Sequence, residues 1–212
     1  MPEPPSVLIA HGLWLTGLEA TLLRHRLGQR GFGVHQFHYH SVTARLPEVI
    51  EALREQLLGL PPPVHVVGHS LGGLLVLRLF EQHPELTCGR VVLLGAPVNG
   101  SRAARAFARL PGASLLLGSL ADAELLREEP RRWCHPAEIG VIAGTLSIGL
   151  GRMLGALPEP NDGAVAVDET HLEGATAHRV LPVSHMGMLV AEEVVAELAN
   201  FLERGRFSAI AA

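Results

Sequence analysis

The sequence predicts an α/β protein, with a mostly parallel twisted sheet and helices on both faces. Short apolar runs typical of buried strands alternate with segments of helical apolar spacing along the whole chain. Apolar residues make up 48% of the sequence and charged residues 18%, which indicates a globular protein. The length of 212 residues suits one domain with a sizeable core, so we expect a single domain over residues 1–212.

The first half of the chain opens with "SVLIA" at 6–10, a short apolar run that predicts a buried strand. The spacing of apolar residues over 18–27 predicts a helix, which "GQRGFG" ends. Residues 34–39 alternate between apolar and polar and predict a second strand. Apolar residues then recur at helical spacing over 46–57, with a proline in the first turn and "LPPP" at the end.

The second half continues the alternation. The apolar strand predicted at 64–67 runs directly into an apolar helix at 71–80. The other predicted strands and helices follow from the same two patterns. Strands are predicted at 90–94, 138–143 and 177–181, and helices at 101–109, 120–128 and 188–202.

Composition argues against several classes of partner. The net charge is −4, and lysine and arginine form no stripe, so we expect no nucleic-acid partner. No apolar stretch reaches the length of a membrane span, and the N-terminus lacks the basic and apolar regions of a signal peptide. The sequence therefore predicts a cytoplasmic protein without an integral membrane segment.

The cysteines and clustered histidines do not indicate a metal or a cofactor. Cys88 and Cys134 lie far apart and lack CxxC spacing, which favours two reduced thiols over a disulfide. Among His35, His38 and His40, the last two are expected to share one face of a strand. No cysteine or carboxylate lies among these histidines, so surface histidines are favoured over a metal site. We expect no metal and no cofactor.

The stretch "VVGHSLGG" at 66–73 is the clearest candidate for chemistry. It sets Ser70 between Gly68 and Gly72, where a predicted strand turns into a helix. This is the G-x-S-x-G nucleophile elbow, in which a strained corner lifts the serine hydroxyl above the sheet edge. Gly68 and Gly72 would clear the turn of side chains that clash with the neighbouring strand and helix, and His69 completes the support of the elbow.

A nucleophilic serine needs a base, and in this arrangement the base is a histidine that comes last in the chain. Five histidines follow Ser70. His185, in "PVSHMGM" between the last strand and the last helix, is favoured, and His171 is the alternative. His83 is expected about 20 Å away at the far end of the helix that begins after Ser70.

The acid should lie between the serine and the histidine in the sequence. In "PEPNDGAVAVDET" the carboxylate of Asp162 stands beside a tight glycine turn and before an apolar stretch, so that it could point back at a histidine. Asp-Gly pairs are also ordinary turn residues, and position and order are what favour Asp162. Glu159 and Asp168 stay open as alternatives.

Two backbone N–H groups are expected to bind the oxyanion of a tetrahedral intermediate. One should belong to Leu71, the residue after the nucleophile, and the other to the loop after the first strand. That loop reads "HGLWLTG", in which Gly12 lets the backbone turn close to the substrate and Leu13 offers its N–H. Trp14 is the alternative donor.

These motifs resemble the α/β-hydrolase superfamily, and more narrowly its small bacterial lipase- and esterase-like members. The similar segments follow the family's order along nearly the whole chain: "VLIAHGLW", "VHVVGHSLGG", "VVLLGAPVNGS", "NDGAVAV" and "PVSHMGML". The resemblance implies the α/β-hydrolase fold with a minimal cap and no cofactor. It implies the following site residues: Ser70 as nucleophile, Asp162 as acid, His185 as base, and Leu13 and Leu71 as oxyanion donors. The segment "GAPVNGS" departs from the family's "GTPHxGS", which leaves the substrate open.

Two apolar, glycine-rich stretches at about 100–157 are expected to cover the site, either as an acyl-binding wall or short cap, or as ordinary core helices. The resulting hypothesis is a serine hydrolase of small-molecule or lipid-like carboxylic esters that works through an acyl-enzyme. One alternative is an acyltransferase or thioesterase with the same nucleophile. Another is a catalytically silent binding module on the same fold.

Overall fold

The computed structural model describes residues 4–127, 129–149 and 157–209. Its strands are β1 (Ser6–Ala10), β2 (Gly33–Phe37), β3 (Val64–His69), β4 (Val91–Leu94), β5 (Ile139–Gly144) and β6 (Ala177–Leu181). Its helices are α1 (Thr21–Gln29), α2 (Leu46–Leu58), α3 (Leu71–Gln82), α4 (Arg102–Ala108), α5 (Ala113–Glu124) and α6 (Glu192–Arg204). Short 3₁₀ turns lie at Leu18–Ala20, Val167–Thr170 and Gly187–Leu189.

The six strands form one sheet in the order β2-β1-β3-β4-β5-β6, and every neighbouring pair is parallel. This confirms the predicted α/β class. The central strands are buried on both faces, as parallel strands covered by helices require. Among the described residues, no helix is long and apolar enough to cross a membrane.

The alternation of side chains along the strands builds two separate cores. In β1, Leu8 and Ala10 point to the face covered by α2, α3 and α5, whereas Val7 and Ile9 point to the face covered by α1 and α6. The largest fully buried side chains include Phe201 from α6 on the second face. The sheet is thus a rigid support, and its carboxyl edge is where loops can carry a site.

Several predicted boundaries were wrong. The helix expected at 120–128 is α5, which begins at Ala113 because Gly112 turns the chain in a left-handed conformation (φ 76°). The last helix begins at residue 192 rather than 188, because Ala191 is extended and separates it from a 3₁₀ turn. The first helix likewise starts later, after a 3₁₀ turn at Leu18–Ala20.

Strand β2 ends at Phe37 rather than at residue 39. His38 and His40 therefore lie in the loop after the strand and do not share a strand face. His38 uses its Nδ1 in a 3.0 Å hydrogen bond with the carbonyl oxygen of Thr16. Among the described residues, no group of three His, Cys, Asp or Glu side chains is placed to hold a metal ion. Cys88 and Cys134 are both free thiols, as predicted.

Candidate active site

The corner between β3 and α3 holds Ser70 in a conformation that residues other than glycine rarely adopt. Its backbone angles are φ 55° and ψ −123°. Its N–H donates to the carbonyl of Leu94 on the neighbouring strand at 2.9 Å, which ties the corner to the sheet. Strain of this kind persists only where the surroundings hold it, and it is concentrated at functional sites.

The glycines around Ser70 make the sharp turn possible. A Cβ on Gly68 would lie 2.4 Å from the Cα of Gly73, and a Cβ on Gly72 would lie 2.3 Å from the carbonyl oxygen of Ala10. Both distances are far below a normal van der Waals contact. Glycine is therefore required at both positions because strand β1 and helix α3 pack directly on the corner.

His185 and Asp162 form a close acid–base pair in the loops that follow β6 and β5. The Nδ1 of His185 lies 2.8 Å from Oδ2 of Asp162, and the backbone N–H of His185 donates to the carbonyl of Asp162 at 2.9 Å. A carboxylate can only accept, so Nδ1 carries a proton, and in the neutral ring Nε2 then has a free lone pair. The pair thus holds the imidazole in the tautomer that a general base needs.

The carboxylate of Asp162 is buried, with 1% of its surface exposed. Its Oδ1 accepts the backbone N–H groups of Val165 at 2.7 Å and Ala164 at 2.9 Å. Burial by itself raises the pKa of this carboxyl. The charge and hydrogen bond of His185 and the two N–H donors outweigh that effect, so the pKa of Asp162 lies below its ordinary value. Asp162 is therefore ionised at neutral pH.

The alternative acids and the alternative base lie elsewhere. Glu159 is exposed. Asp168 is exposed and forms a two-pronged ion pair with Arg102, with both N–O distances at 2.7 Å. His171 stacks on the ring of His178 at 4.5 Å between centroids. The structure brings Asp162, and neither of the other two carboxylates, to His185.

Ser70 and His185 line the same cavity, which has a volume of about 360 Å³. No hydrogen bond joins them directly within the described residues. Such bonds are often long without substrate and tighten when it binds. The remaining lining is mainly apolar: Leu13, Trp14, Leu15, Pro97, Ser101, Ala103, Ala104, Phe107, Leu117, Leu125, Ile148, Gly149, Ala164, Val165 and Met186.

Much of this lining comes from the stretch at 100–157 that was expected to cover the site, although residues 150–156 lie outside the described part of the chain. Helix α4 contributes Phe107, and the bent helix α5 contributes Leu117. A second cavity of about 400 Å³ adjoins at Trp14 and Leu15 and contains neither Ser70 nor His185. It is lined by Trp14, Leu15, Thr16, His38, Tyr39, His40, Ser41, Val42 and Thr43.

The loop after β1 packs against the nucleophile. A Cβ on Gly12 would lie 3.1 Å from the Cβ of Ser70, so the backbone of this loop reaches the serine. Leu71 is the first residue of α3, where a backbone N–H has no partner within the helix. The N–H of Trp14, the alternative donor, is already bound to Ser41 Oγ at 3.0 Å. This leaves Leu13 and Leu71 as the candidate oxyanion donors.

His69 lies beneath the site and supports the base. It is buried, and its Nε2 donates to the carbonyl of His185 at 3.1 Å, with the two rings 4.7 Å apart. Burial first, and the nearby charge of His185 second, lower the pKa of His69 to about 3. His69 is therefore neutral at physiological pH. It binds the backbone carbonyl of His185, and Asp162 binds the ring.

Two glycines that support the acid–base pair were missed from the sequence. Gly95, which follows β4, has φ 54°, and a Cβ there would lie 3.1 Å from both Asp162 Oδ2 and His185 Nδ1. Gly144, at the end of β5, would place a Cβ 2.8 Å from the Cβ of Asp162. The available signal was a glycine at the carboxyl end of each of these two strands.

The chain is similar to one family model and to several solved structures. A family model described as the α/β hydrolase fold matches residues 26–114. The mature lipase of Bacillus licheniformis is 18% identical with a TM-score of 0.71, and the match covers 98% of this chain and 94% of that one. A metagenomic carboxyl esterase is 15% identical with a TM-score of 0.74, covering 97% and 77% of the two chains.

A thioesterase of the prodiginine biosynthetic pathway in Streptomyces coelicolor is also similar, with 14% identity and a TM-score of 0.61. That match covers 94% of this chain and 89% of the thioesterase. A comparison with curated proteins gives no match. The protein therefore has the α/β-hydrolase fold, and the resemblance to the α/β-hydrolase superfamily that its motifs predicted is confirmed.

Proposed function

We propose that the protein is a serine hydrolase of carboxylic esters that works through an acyl-enzyme. The observation that carries the proposal is the 2.8 Å pair of His185 Nδ1 and Asp162 Oδ2, in which His185 lines the cavity that also contains the strained Ser70. A nucleophile, a base and an orienting acid in this chain order are the set that acyl transfer needs.

In the first half of the reaction, the hydroxyl of Ser70 attacks the ester carbonyl and its proton passes to Nε2 of His185. Asp162 stabilises the imidazolium that forms. The N–H groups of Leu13 and Leu71 bind the developing oxyanion, at the positive end of α3. The carbon–oxygen bond to the alcohol then breaks, the alcohol takes the proton from His185, and the acyl group stays on Ser70.

In the second half, His185 takes a proton from water, and the hydroxide oxygen attacks the acyl-serine. The tetrahedral intermediate uses the same two N–H donors. When it collapses, the carboxylic acid leaves, and His185 returns its proton to Ser70. The mainly apolar cavity of about 360 Å³ fits an apolar acyl or aryl group, because its lining offers few polar partners to a charged substrate.

The decisive variant is Ser70→Ala. It should lower the hydrolysis of p-nitrophenyl esters to the non-enzymatic rate, whereas the far-ultraviolet circular dichroism and the melting temperature stay near those of the wild type. The matched control is Ser101→Ala, which removes a second hydroxyl that lines the cavity and caps helix α4, and which should leave measurable turnover. Wild-type turnover by Ser70→Ala would show that another group is the nucleophile.

Acyl transfer to an acceptor other than water uses the same first half-reaction, as does thioester cleavage. Adding short alcohols to the assay and measuring the ratio of transesterified product to free acid separates acyltransferase from hydrolase. Comparing kcat/KM for an ester and a thioester of the same acyl group separates esterase from thioesterase. Failure of the wild type to react with a fluorophosphonate at Ser70 would favour a catalytically silent module.

A further inference from the structure

The candidate oxyanion donor Leu13 lies between two peptide groups that are each held by a side chain. On one side, Nδ1 of His11 donates to the carbonyl of Gly12 at 3.0 Å. In a trans peptide the N–H points away from the carbonyl, so this bond helps to set the direction of the Leu13 N–H. On the other side, the N–H of Trp14 donates to Ser41 Oγ at 3.0 Å.

The residue after the donor is strained. Trp14 has φ 60°, in the left-handed region that a bulky side chain rarely adopts. A conformation of this kind is kept only when its surroundings hold it. The bond from Ser41 holds the backbone of Trp14, and the indole Nε1 donates to the carbonyl of Leu116 at 2.8 Å. The indole also packs edge-on against Phe107, at 5.6 Å between ring centroids.

Two of the side chains that bind the backbone of the loop after β1 come from one segment, the loop that follows β2. Tyr39 donates its hydroxyl to the carbonyl of His11 at 2.7 Å and stacks on the His11 ring at 4.2 Å. Ser41, two residues later, binds Trp14 and is buried, with 5% of its surface exposed. The loop after β2 therefore braces the loop after β1 on both sides of Leu13.

We propose that Ser41 is a positioning residue for the oxyanion hole, which acts by keeping Trp14 left-handed and so aiming the N–H of Leu13 at the reacting carbonyl. The proposal rests on the proposed ester hydrolysis. Ser41 does not line the cavity that contains Ser70; it lines the adjoining cavity. Without its oxygen, the N–H of Trp14 loses its acceptor, so the Leu13–Trp14 peptide can rotate and the backbone of Trp14 can relax from φ 60°. The bond from His11 is then left alone to hold the Leu13 N–H.

The test is Ser41→Ala, with Thr43→Ala as the control, because Thr43 is an exposed hydroxyl residue of the same loop. Removing one oxyanion donor costs about 10²–10³-fold in kcat, so a misaimed donor is expected to cost about 10–100-fold. KM should change less than about threefold, since the ester carbonyl develops its charge only in the transition state. Thr43→Ala should behave as the wild type.

A second measurement distinguishes misorientation of the Leu13 N–H from a loss of folded enzyme. An alkyl boronic acid forms a tetrahedral adduct on a nucleophilic serine and so imitates the transition state. Its inhibition constant should rise in Ser41→Ala by the same factor by which kcat falls. A merely structural role would lower the fraction of folded enzyme and leave the inhibition constant of the remaining enzyme unchanged.

If Ser41→Ala does not fold, Ser41→Cys replaces it, because the thiol has nearly the same size and is only a weak acceptor. The same loss of kcat and boronic acid affinity is then expected. Wild-type kcat and inhibition constant in the folded variant would overturn the role of Ser41 and leave the proposed hydrolysis intact. A wild-type protein that hydrolyses no ester would instead overturn the proposed hydrolysis, and the role of Ser41 with it.

Discussion

The buried imidazole of His69 should make the fold sensitive to acid. Its environment lowers its pKa to about 3, chiefly through burial, whereas a histidine in the unfolded chain has a pKa of about 6.5. Between these values the unfolded chain binds a proton that the folded protein does not. The free energy of unfolding therefore falls as the pH falls from 6.5 towards 3.

The size of the effect follows from that interval. Each pH unit between the two pKa values changes the free energy of unfolding by about 1.4 kcal/mol. His69 alone should therefore lower the free energy of unfolding by about 2 kcal/mol between pH 6.5 and pH 5. His65 and His178, whose burial lowers their pKa values to about 4, add to the slope. Their contribution is common to the wild type and to any His69 variant, and it cancels in a comparison of the two.

The measurement is urea unfolding of the wild type and of His69→Gln at pH 6.5 and pH 5. Glutamine cannot take up the proton, and its amide can still donate to the carbonyl of His185. The loss of stability on acidification should be about 2 kcal/mol smaller in His69→Gln than in the wild type. The exposed His40→Gln is the control for loss of a histidine elsewhere. Equal losses in the wild type and His69→Gln would refute the reasoning.

Two further predictions concern the acid and the glycines. Asp162→Asn should lower kcat by about 10³–10⁴-fold with the fold intact, because the amide favours the wrong tautomer of His185. Steady-state kinetics checks this, and a loss below tenfold would contradict the role of Asp162. Gly72→Ala should destabilise the fold by several kcal/mol, because its Cβ would meet the carbonyl of Ala10 at 2.3 Å. Gly28→Ala, also in a helix but with no atom within 4 Å of the added Cβ, should stabilise it by about 0.5–1 kcal/mol in thermal unfolding.

The sheet and its carboxyl edge could be predicted because strands and helices have different apolar periods. Each predicted strand overlaps an observed one, and the elbow glycines follow from the close packing of β1 and α3 on the corner. The start of α5 could not be predicted in this way. It depends on the left-handed Gly112, and the helix is bent by Gly118 (φ 74°), where a Cβ would lie 2.0 Å from the carbonyl of Val42. That contact joins residues far apart in the sequence.

In the candidate site, too, some residues could be predicted from local sequence patterns, and others depend on contacts between residues far apart in the sequence. Ser70 and His185 could be selected from local motif and chain order, whereas Asp162 needed a choice among carboxylates that only tertiary contacts separate. Gly95 offered only the signal of a glycine at the end of a strand, and nothing in the sequence selected Ser41. Gly95 matters through its distance of 3.1 Å to the acid–base pair, and Ser41 through a hydrogen bond to a residue 27 positions away.

Trapping the acyl-enzyme tests the central claim most directly. The wild type is mixed with an activated ester, quenched in acid within milliseconds to seconds, digested, and analysed by mass spectrometry. The account predicts that the mass of the acyl group appears on the peptide that contains Ser70, and that it accumulates during the burst before steady turnover. An acyl group on another residue would contradict the account, as would turnover during which the Ser70 peptide never carries the added mass.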